Sequence, residues 1–128
     1  MPNTASHPSP SKVMIVDDHA AFRTSARTLL EAEGLNVVAE AQTGEDALEA
    51  LESATCDILL LDVHLGAGID GFEVARSITD RGGEAPAIVL VSNRELNELG
   101  VDRIAACGAR GFVPKDSLSR EAIDSLCN

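Results

Sequence analysis

The sequence contains no Trp and no Tyr, and aromatic residues make up only 2% of it. A core must therefore be built mainly from Val, Ile, Leu and Ala, which suits an aliphatic parallel sheet covered by helices. Basic residues are also scarce, because 10 Lys and Arg stand against 21 Asp and Glu, for a formal net charge of −11. Such a field repels nucleic acid and anionic membranes and favours cations or basic protein surfaces. We therefore expect no direct DNA binding and no membrane association.

The cysteines show neither a zinc-binding nor a disulfide pattern. Cys56, Cys107 and Cys127 have no CxxC spacing and no His at ligand spacing, which argues against both kinds of site. No apolar run approaches the roughly 20 residues needed to cross a bilayer. The N-terminus also lacks the basic and apolar regions of a signal peptide. We expect a cytoplasmic protein with reduced thiols.

Composition divides the chain into a tail and one domain. Residues 1–11 combine Pro with small polar residues, and such a segment buries too little apolar surface to fold, so we predict a disordered tail. From 12 to 128, short apolar runs alternate with stretches of helical spacing, which is typical of βα units around a parallel sheet. Strands are predicted at 12–16, 36–41, 57–61, 87–91 and 111–113, each followed by a helix. The helix over 93–107 is interrupted by Gly100, and a glycine inside a helix is unfavourable.

Polar residues follow four of the five predicted strands. They are, in chain order, Asp17 and Asp18, Asp62, Ser92 and Lys115. In an open parallel sheet, ligands bind outside the carboxyl ends of the strands. If strands one, three, four and five are neighbours, then three carboxylates, a hydroxyl and an ammonium converge at one edge of the sheet.

This combination favours phosphoryl chemistry. Three close carboxylates repel one another unless a cation compensates, and oxygen ligands in a hydrated site suit Mg²⁺ better than Zn²⁺. A carboxylate beside such a metal can attack phosphorus and form an aspartyl phosphate. Asp62 is the predicted nucleophile, and Ser92 and Lys115 are predicted to contact phosphoryl oxygens. Any one of these residues alone could instead be a turn former or helix cap.

Residues 12 to about 126 resemble the response-regulator receiver family. The matching segments are VMIVDD at 13–18, LLLD at 59–62, VLVS at 89–92 and GFVPK at 111–115. The resemblance implies a doubly wound, flavodoxin-like α/β fold with a five-stranded parallel sheet of order 2-1-3-4-5 flanked by five helices. It also implies a switch rather than an enzyme, one that takes a phosphoryl group from a histidine kinase or phosphotransfer protein and signals through altered protein contacts. The start DDHAAFR and the Asp after Lys115 look like receivers of the NarL/FixJ type, which are often joined to helix-turn-helix domains.

The same resemblance implies the ligands of the metal. Asp18 and Asp62 would bind Mg²⁺ directly, Asp17 would act through water, and the main-chain carbonyl of His64 would be a further ligand. The His19 and His64 side chains are interpreted as solvated loop groups, and no histidine-based metal site is predicted.

A moving hydroxyl and ring are implied as the switch. Ser92 would approach the phosphoryl group and Phe112 would turn inward with it, changing the surface of helix four, strand five and helix five. We expect an unidentified downstream protein on that face, with a homodimer on phosphorylation as a further possibility. One departure from the family pattern is Gly66, which stands where Pro is frequent four residues after the phosphoacceptor.

Several alternatives stay open at this stage. An Mg²⁺-dependent phosphohydrolase with an aspartyl nucleophile would commonly use a DxD motif, but position 64 is His. A receiver could also act as an interaction module without being phosphorylated. Because the chain ends soon after the last predicted helix, we expect output through a partner, or a role as relay station or phosphate sink. A piece of a longer protein would have the same sequence.

Overall fold

The computed structural model of the protein describes residues 11–66, 68–81, 85–93 and 100–127. Its five strands form one parallel sheet in the order β2-β1-β3-β4-β5. The strands are β1 (Lys12–Val16), β2 (Asn36–Ala41), β3 (Ile58–Asp62), β4 (Ala87–Ser92) and β5 (Gly111–Pro114). The helices are α1 (Ala20–Ala32), α2 (Gly44–Ser53), α3 (Gly71–Arg81), α4 (Val101–Ala106) and α5 (Arg120–Cys127), with a 3₁₀ turn at Lys115–Ser117. The predicted fold class and strand order are confirmed.

Helices cover both faces of the sheet, and β3 lies at its centre between β1 and β4. Successive side chains of a strand point to opposite faces. Leu59 and Leu61 accordingly pack in one apolar cluster with residues of α2, α3 and α4. Leu60 packs in the other cluster, with residues of α1 and α5. Every residue of β3 is buried, which explains why this strand is apolar throughout except at its last position.

Three strands, β3, β4 and β5, extend one residue further toward the site than the apolar pattern predicts, and β5 ends at Pro114 instead of 113. The predicted third and fourth strands end at 61 and 91, whereas β3 includes Asp62 and β4 includes Ser92. Asp62 pairs with Val91, and Ser92 pairs with Pro114. Backbone pairing continues past the last apolar residue because it does not depend on the side chain. The sheet itself therefore fixes the positions of two predicted site residues.

The structure refines the prediction for the fourth helix and leaves the tail open. Within the predicted helix at 93–107, α4 covers Val101–Ala106, directly after Gly100 with its positive φ of 90°. Residues 94–99, and residues 1–10 of the predicted tail, lie outside the described part of the chain. None of the helices in the described ranges is long and apolar enough to span a membrane.

Candidate functional site

The carboxyl end of the sheet gathers the polar residues that follow the strands. A cleft of about 280 Å³ is lined there by His19, Asp62, His64, Ser92, Asn93 and Lys115. Among the described residues, the buried polar or charged ones are Asp17, Asp62 and Ser92. All three end a strand or directly follow one. The predicted convergence of strands one, three, four and five at one edge is therefore present.

One ammonium group lies between two buried carboxylates. Lys115 Nζ is 2.5 Å from Asp17 Oδ2 and 3.4 Å from Asp62 Oδ2. Lys115 follows β5 at the edge of the sheet, and its Nζ also lies 4.4 Å from the centre of the Phe22 ring on α1. Buried charges are stable only when they are paired. A single positive charge does not neutralise Asp17, Asp62 and the neighbouring Asp18, so the site retains an excess of negative charge.

This environment changes the acidity of Asp62. Burial, followed by the negative charge of Asp17, raises the pKa of the Asp62 carboxyl from its usual value to about 6, against the opposing effects of Lys115 and the backbone N–H of His64. Desolvation and a like charge both disfavour the ionised form of a carboxyl group. A cation bound beside Asp62 would reverse this preference, because it stabilises the carboxylate.

Backbone groups hold the acidic side chains in place. The backbone N–H of His19 donates to Asp17 Oδ1 at 2.8 Å, and that of His64 donates to Asp62 Oδ1 at 3.2 Å. Arg23, on α1, donates from its guanidinium to the carbonyl oxygen of Asp17 at 2.6 Å. The carboxylates of Asp17 and Asp62 are thus each oriented by the loop that follows its own strand.

Gly71 allows α3 to begin directly against β3. Its N–H donates to the carbonyl of Val63 at 2.9 Å, and a Cβ at Gly71 would overlap the carbonyl oxygen of Asp62 and the Cα of Val63. Only glycine permits so close an approach between two backbones. The first turn of α3 therefore holds the backbone of the predicted phosphoacceptor in position.

Gly66 explains one departure from the family pattern. It has a φ of 75°, and a Cβ added there would lie 3.0 Å from Asp18 Oδ2. Proline is locked near a φ of −65° and cannot adopt this conformation. The loop after β3 therefore takes a path that proline would prevent, and this path passes close to the Asp18 carboxylate.

The acidic group can hold a metal ion. One ligand atom each from Asp17, Asp18, His19 and Asp62 lies within 4.8 Å of the others. Oxygen-rich sets of this kind, in a partly open and hydrated cleft, fit a divalent cation. His19 is the addition that sequence reasoning missed. Its adjacency to two aspartates was the available signal, but its exposure in a loop favoured a solvated side chain.

The remaining predicted residues lie around this group. Ser92 is buried at the end of β4 and lines the cleft. Phe112 is half-buried on β5, pairs with Leu90 in the sheet and packs against the cluster under α2, α3 and α4. His64 is one of the residues that line the cleft. Its carbonyl as a metal ligand stays a prediction, as do the switching roles of Ser92 and Phe112.

Comparison with known proteins agrees with this geometry. The family model described as response regulator receiver domain matches residues 13–126. Curated relatives include the response regulator UvrY of Escherichia coli K12, which is 32% identical over 115 residues, covering 89% of this chain and 51% of UvrY. The transcriptional regulatory protein NarL of Mycobacterium tuberculosis is 36% identical over 124 residues, covering 94% of this chain and 56% of NarL. The chain thus spans about half the length of the curated relatives it matches.

Solved structures show the same similarity. The signal receiver domain of NarL from Mycobacterium tuberculosis superposes with a TM-score of 0.81 at 31% identity, covering 94% of this chain and 99% of that one. A LuxR-family two-component response regulator from Aurantimonas sp. SI85-9A1 superposes with a TM-score of 0.80 at 31% identity, covering 92% of this chain and 83% of that one. The similarity extends over nearly all of the present sequence.

Proposed function

Since this chain belongs to the response regulator receiver family, we propose that Asp62 is the residue that accepts the phosphoryl group and that Mg²⁺ is bound beside it. Receivers of this family are phosphorylation switches in two-component signalling and not catalytic enzymes, so the phosphohydrolase alternative is not supported. The observation that carries the proposal is the position of Asp62. It is a buried carboxylate at the end of the central strand, and it shares Lys115 with Asp17.

The proposed reaction transfers a phosphoryl group to a carboxylate oxygen of Asp62. A bond forms between that oxygen and phosphorus while the bond from phosphorus to the donor breaks. Its electron pair leaves with the donor's imidazole nitrogen or acyl oxygen. Lys115 Nζ, 3.4 Å from Asp62 Oδ2, would pair with a phosphoryl oxygen, and the Ser92 hydroxyl would donate to another. Such fixed donors act by stabilising charge on the transferring group.

The proposed metal ligands are the acidic residues of the same cluster. Asp18 and Asp62 would bind Mg²⁺ directly, Asp17 through water, and the carbonyl of His64 would complete the protein's share. When bound, Mg²⁺ would neutralise negative charge on the phosphoryl oxygens. The closeness of the three carboxylates and the single nearby ammonium support this assignment.

Receiver domains partner with histidine kinases, and we propose a kinase or a phosphotransfer protein as the donor for this chain. We further propose that output passes through the surface of α4, β5 and α5. Phe112 supports this, because its ring is half-buried in the strand that joins the cleft to that surface. Four further points remain predictions. They are a downstream protein on this face, a homodimer formed on phosphorylation, the absence of direct DNA binding and a cytoplasmic location.

The direct test is intact-mass measurement after incubation with acetyl phosphate, with and without Mg²⁺. We expect one phosphoryl adduct that requires Mg²⁺ and is absent from Asp62→Asn. Asp57→Asn is the matched control, because Asp57 directly precedes the strand that ends at Asp62. This variant should show the same adduct as the wild type. If neither acetyl phosphate nor a cognate kinase phosphorylates the folded, Mg²⁺-binding protein, the chain acts instead as a phosphorylation-independent interaction module.

A further inference from the structure

His19 brings a nitrogen ligand to a group made otherwise of carboxylates. It precedes α1, and its Nδ1 lies 3.0 Å from Asp18 Oδ1 and 3.3 Å from Asp17 Oδ1. We propose that His19 is a direct ligand of the divalent-cation site and that it shifts the preference of the site from Mg²⁺ toward transition-metal ions. This inference rests on the proposed function, because it concerns the same metal site.

The spacing between His19 Nδ1 and Asp18 Oδ1, the proposed direct ligand beside it, suits neighbouring positions around one ion. Ligand nitrogen and oxygen atoms lie about 2.1 Å from a small divalent ion. Two ligands at a right angle around such an ion are consequently about 3 Å apart. The distance of 3.0 Å from His19 Nδ1 to Asp18 Oδ1 is close to this value. The separation of the two atoms already matches shared coordination of one ion.

The backbone keeps the imidazole at the site while solvent reaches it. The N–H of His19 donates to Asp17 Oδ1 at 2.8 Å, which ties the residue to the acidic group independently of its ring. The side chain is 68% exposed, so an ion can approach from the open side of the cleft. An imidazole at this position is therefore both restrained and accessible.

The chemistry of the donor set gives the direction of the preference. Carboxylate, carbonyl and water oxygens suit Mg²⁺, whereas imidazole suits ions such as Ni²⁺, Cu²⁺ and Zn²⁺. With oxygen ligands alone, affinity already rises from Mn²⁺ to Cu²⁺ across the series, and an imidazole nitrogen widens the gap from Mg²⁺. Mg²⁺ can keep a water at that position, since it usually retains several.

The test uses Mn²⁺ as a paramagnetic probe and Ni²⁺ against Mg²⁺ for selectivity. Electron spin-echo measurements on untagged protein loaded with Mn²⁺ detect a directly bound imidazole nitrogen through its nuclear coupling. We expect this coupling in the wild type and its loss in His19→Gln. The matched control His7→Gln makes the same substitution at a histidine of the predicted tail and should retain the coupling.

Equilibrium dialysis measures the second consequence. We expect His19→Gln to lower the affinity for Ni²⁺ about tenfold or more relative to that for Mg²⁺, since even outer partners of metal ligands contribute 10–100-fold. No nitrogen coupling in the wild type, or an unchanged preference in His19→Gln, would show that His19 only contacts the two aspartates and is not a metal ligand. Phosphoryl uptake by the wild type with Mg²⁺ separates the two proposals. If uptake occurs without nitrogen coupling, only this inference fails, and if uptake is also absent, the proposed function fails with it.

Discussion

The two ends of the sheet carry the same residue types in different settings. At the amino end, Asp57 and Lys12 are exposed, and the pair is joined through the backbone: the N–H of Lys12 donates to Asp57 Oδ2 at 2.8 Å, and the N–H of Asp57 donates to the Lys12 carbonyl at 2.8 Å. At the carboxyl end, Asp62 and Lys115 face each other through their side chains, and Asp62 is 3% exposed. The aspartate at one end completes a backbone connection, whereas the aspartate at the other end is a buried charge beside further carboxylates.

The cavities at the two ends differ in the same way. The amino end has a cavity of about 120 Å³ between α2, α3 and the starts of β3 and β4, lined by Leu51, Ala54, Thr55, Cys56, Ile78, Arg81, Ala85 and Pro86. Among the residues that the structure describes, this lining contains no carboxylate. The larger cleft at the carboxyl end contains Asp62, Lys115 and two histidines. Residue type alone therefore does not identify a site, and the position at the carboxyl end of parallel strands does.

The largest expected difference between the two ends is the effect of replacing their lysines. Lys12 and Lys115 are the only two in the sequence. We expect Lys115→Ala to lower the rate of phosphoryl uptake from acetyl phosphate by about 100-fold or more, the usual cost of removing one donor from a charge-stabilising site. Mg²⁺ affinity should be kept or raised, because the ammonium no longer competes for Asp17 and Asp62. Lys12→Ala should change neither the rate of phosphoryl uptake nor the Mg²⁺ affinity. An equal loss of uptake in both variants would contradict the distinction between the two ends of the sheet.

The aspartates should differ in how they couple stability to pH. In metal-free buffer, the folded protein holds a proton at Asp62 up to a pKa of about 6, whereas an unfolded aspartate has a pKa of about 3.9. The folded state therefore binds more protons between these values, and this group lowers the free energy of unfolding as the pH rises through that window. The effect is at most about 3 kcal/mol.

Urea unfolding followed by circular dichroism, with a chelator present, measures this contribution. Asp62→Asn should remove it and be more stable than the wild type above pH 6, while Asp57→Asn should retain the wild-type slope. If the free energy of unfolding has the same slope against pH in Asp62→Asn and in the wild type, the pKa of Asp62 is not raised by burial.

Two glycines sharpen the comparison further. Gly71→Ala should destabilise the protein by about 1–3 kcal/mol, the usual cost of overpacking, because the new Cβ would meet the rigid backbone of Asp62 and Val63. Gly111→Ala, at the amino end of β5, should cost less, because the three atoms nearest its Cβ would all belong to the flexible side chain of Leu126. Denaturation midpoints compare the two variants. A larger loss of stability in Gly111→Ala would show that the contact of α3 with β3 is packed less tightly than that of β5 with Leu126.

The smallest expected effect concerns Phe22. Its ring lies 4.4 Å from Lys115 Nζ, and a cation above an aromatic face contributes roughly 0.5–1 kcal/mol or somewhat more when it is desolvated. Phe22→Leu should therefore cost about 1 kcal/mol in the wild type and less in a Lys115→Ala background. A double-mutant cycle measures the coupling, and equal costs in both backgrounds would exclude it.

Much of this arrangement could be predicted from the sequence. The alternation of apolar runs with helical spacing predicts the βα units, and the rule for parallel sheets places Asp17, Asp62, Ser92 and Lys115 at one edge. The fold class and the convergence of these residues are confirmed. The alternation of strands and helices follows from hydrophobic periodicities that are visible in a single sequence, whereas the strand order that brings these residues together was implied by the family resemblance.

Other features depend on contacts that periodicity does not encode. The inclusion of Asp62 and Ser92 in their strands depends on pairing with β4 and β5. The contact of His19 with two carboxylates depends on the turn into α1 and on a side-chain rotamer. The positive φ of Gly66 depends on the path of a loop. Each requires the positions of residues distant in sequence or the conformation of a loop.

The measurement that tests the central claim most directly is the location of the phosphoryl group. Reduction of an aspartyl phosphate with borohydride converts that residue to homoserine, which peptide mass mapping can place. The account predicts homoserine at position 62 in the wild type and in Asp57→Asn, only when Mg²⁺ and acetyl phosphate are both present, and none in Asp62→Asn. Homoserine at position 17, 18 or 57 in the wild type, or an adduct that persists in Asp62→Asn, would contradict it.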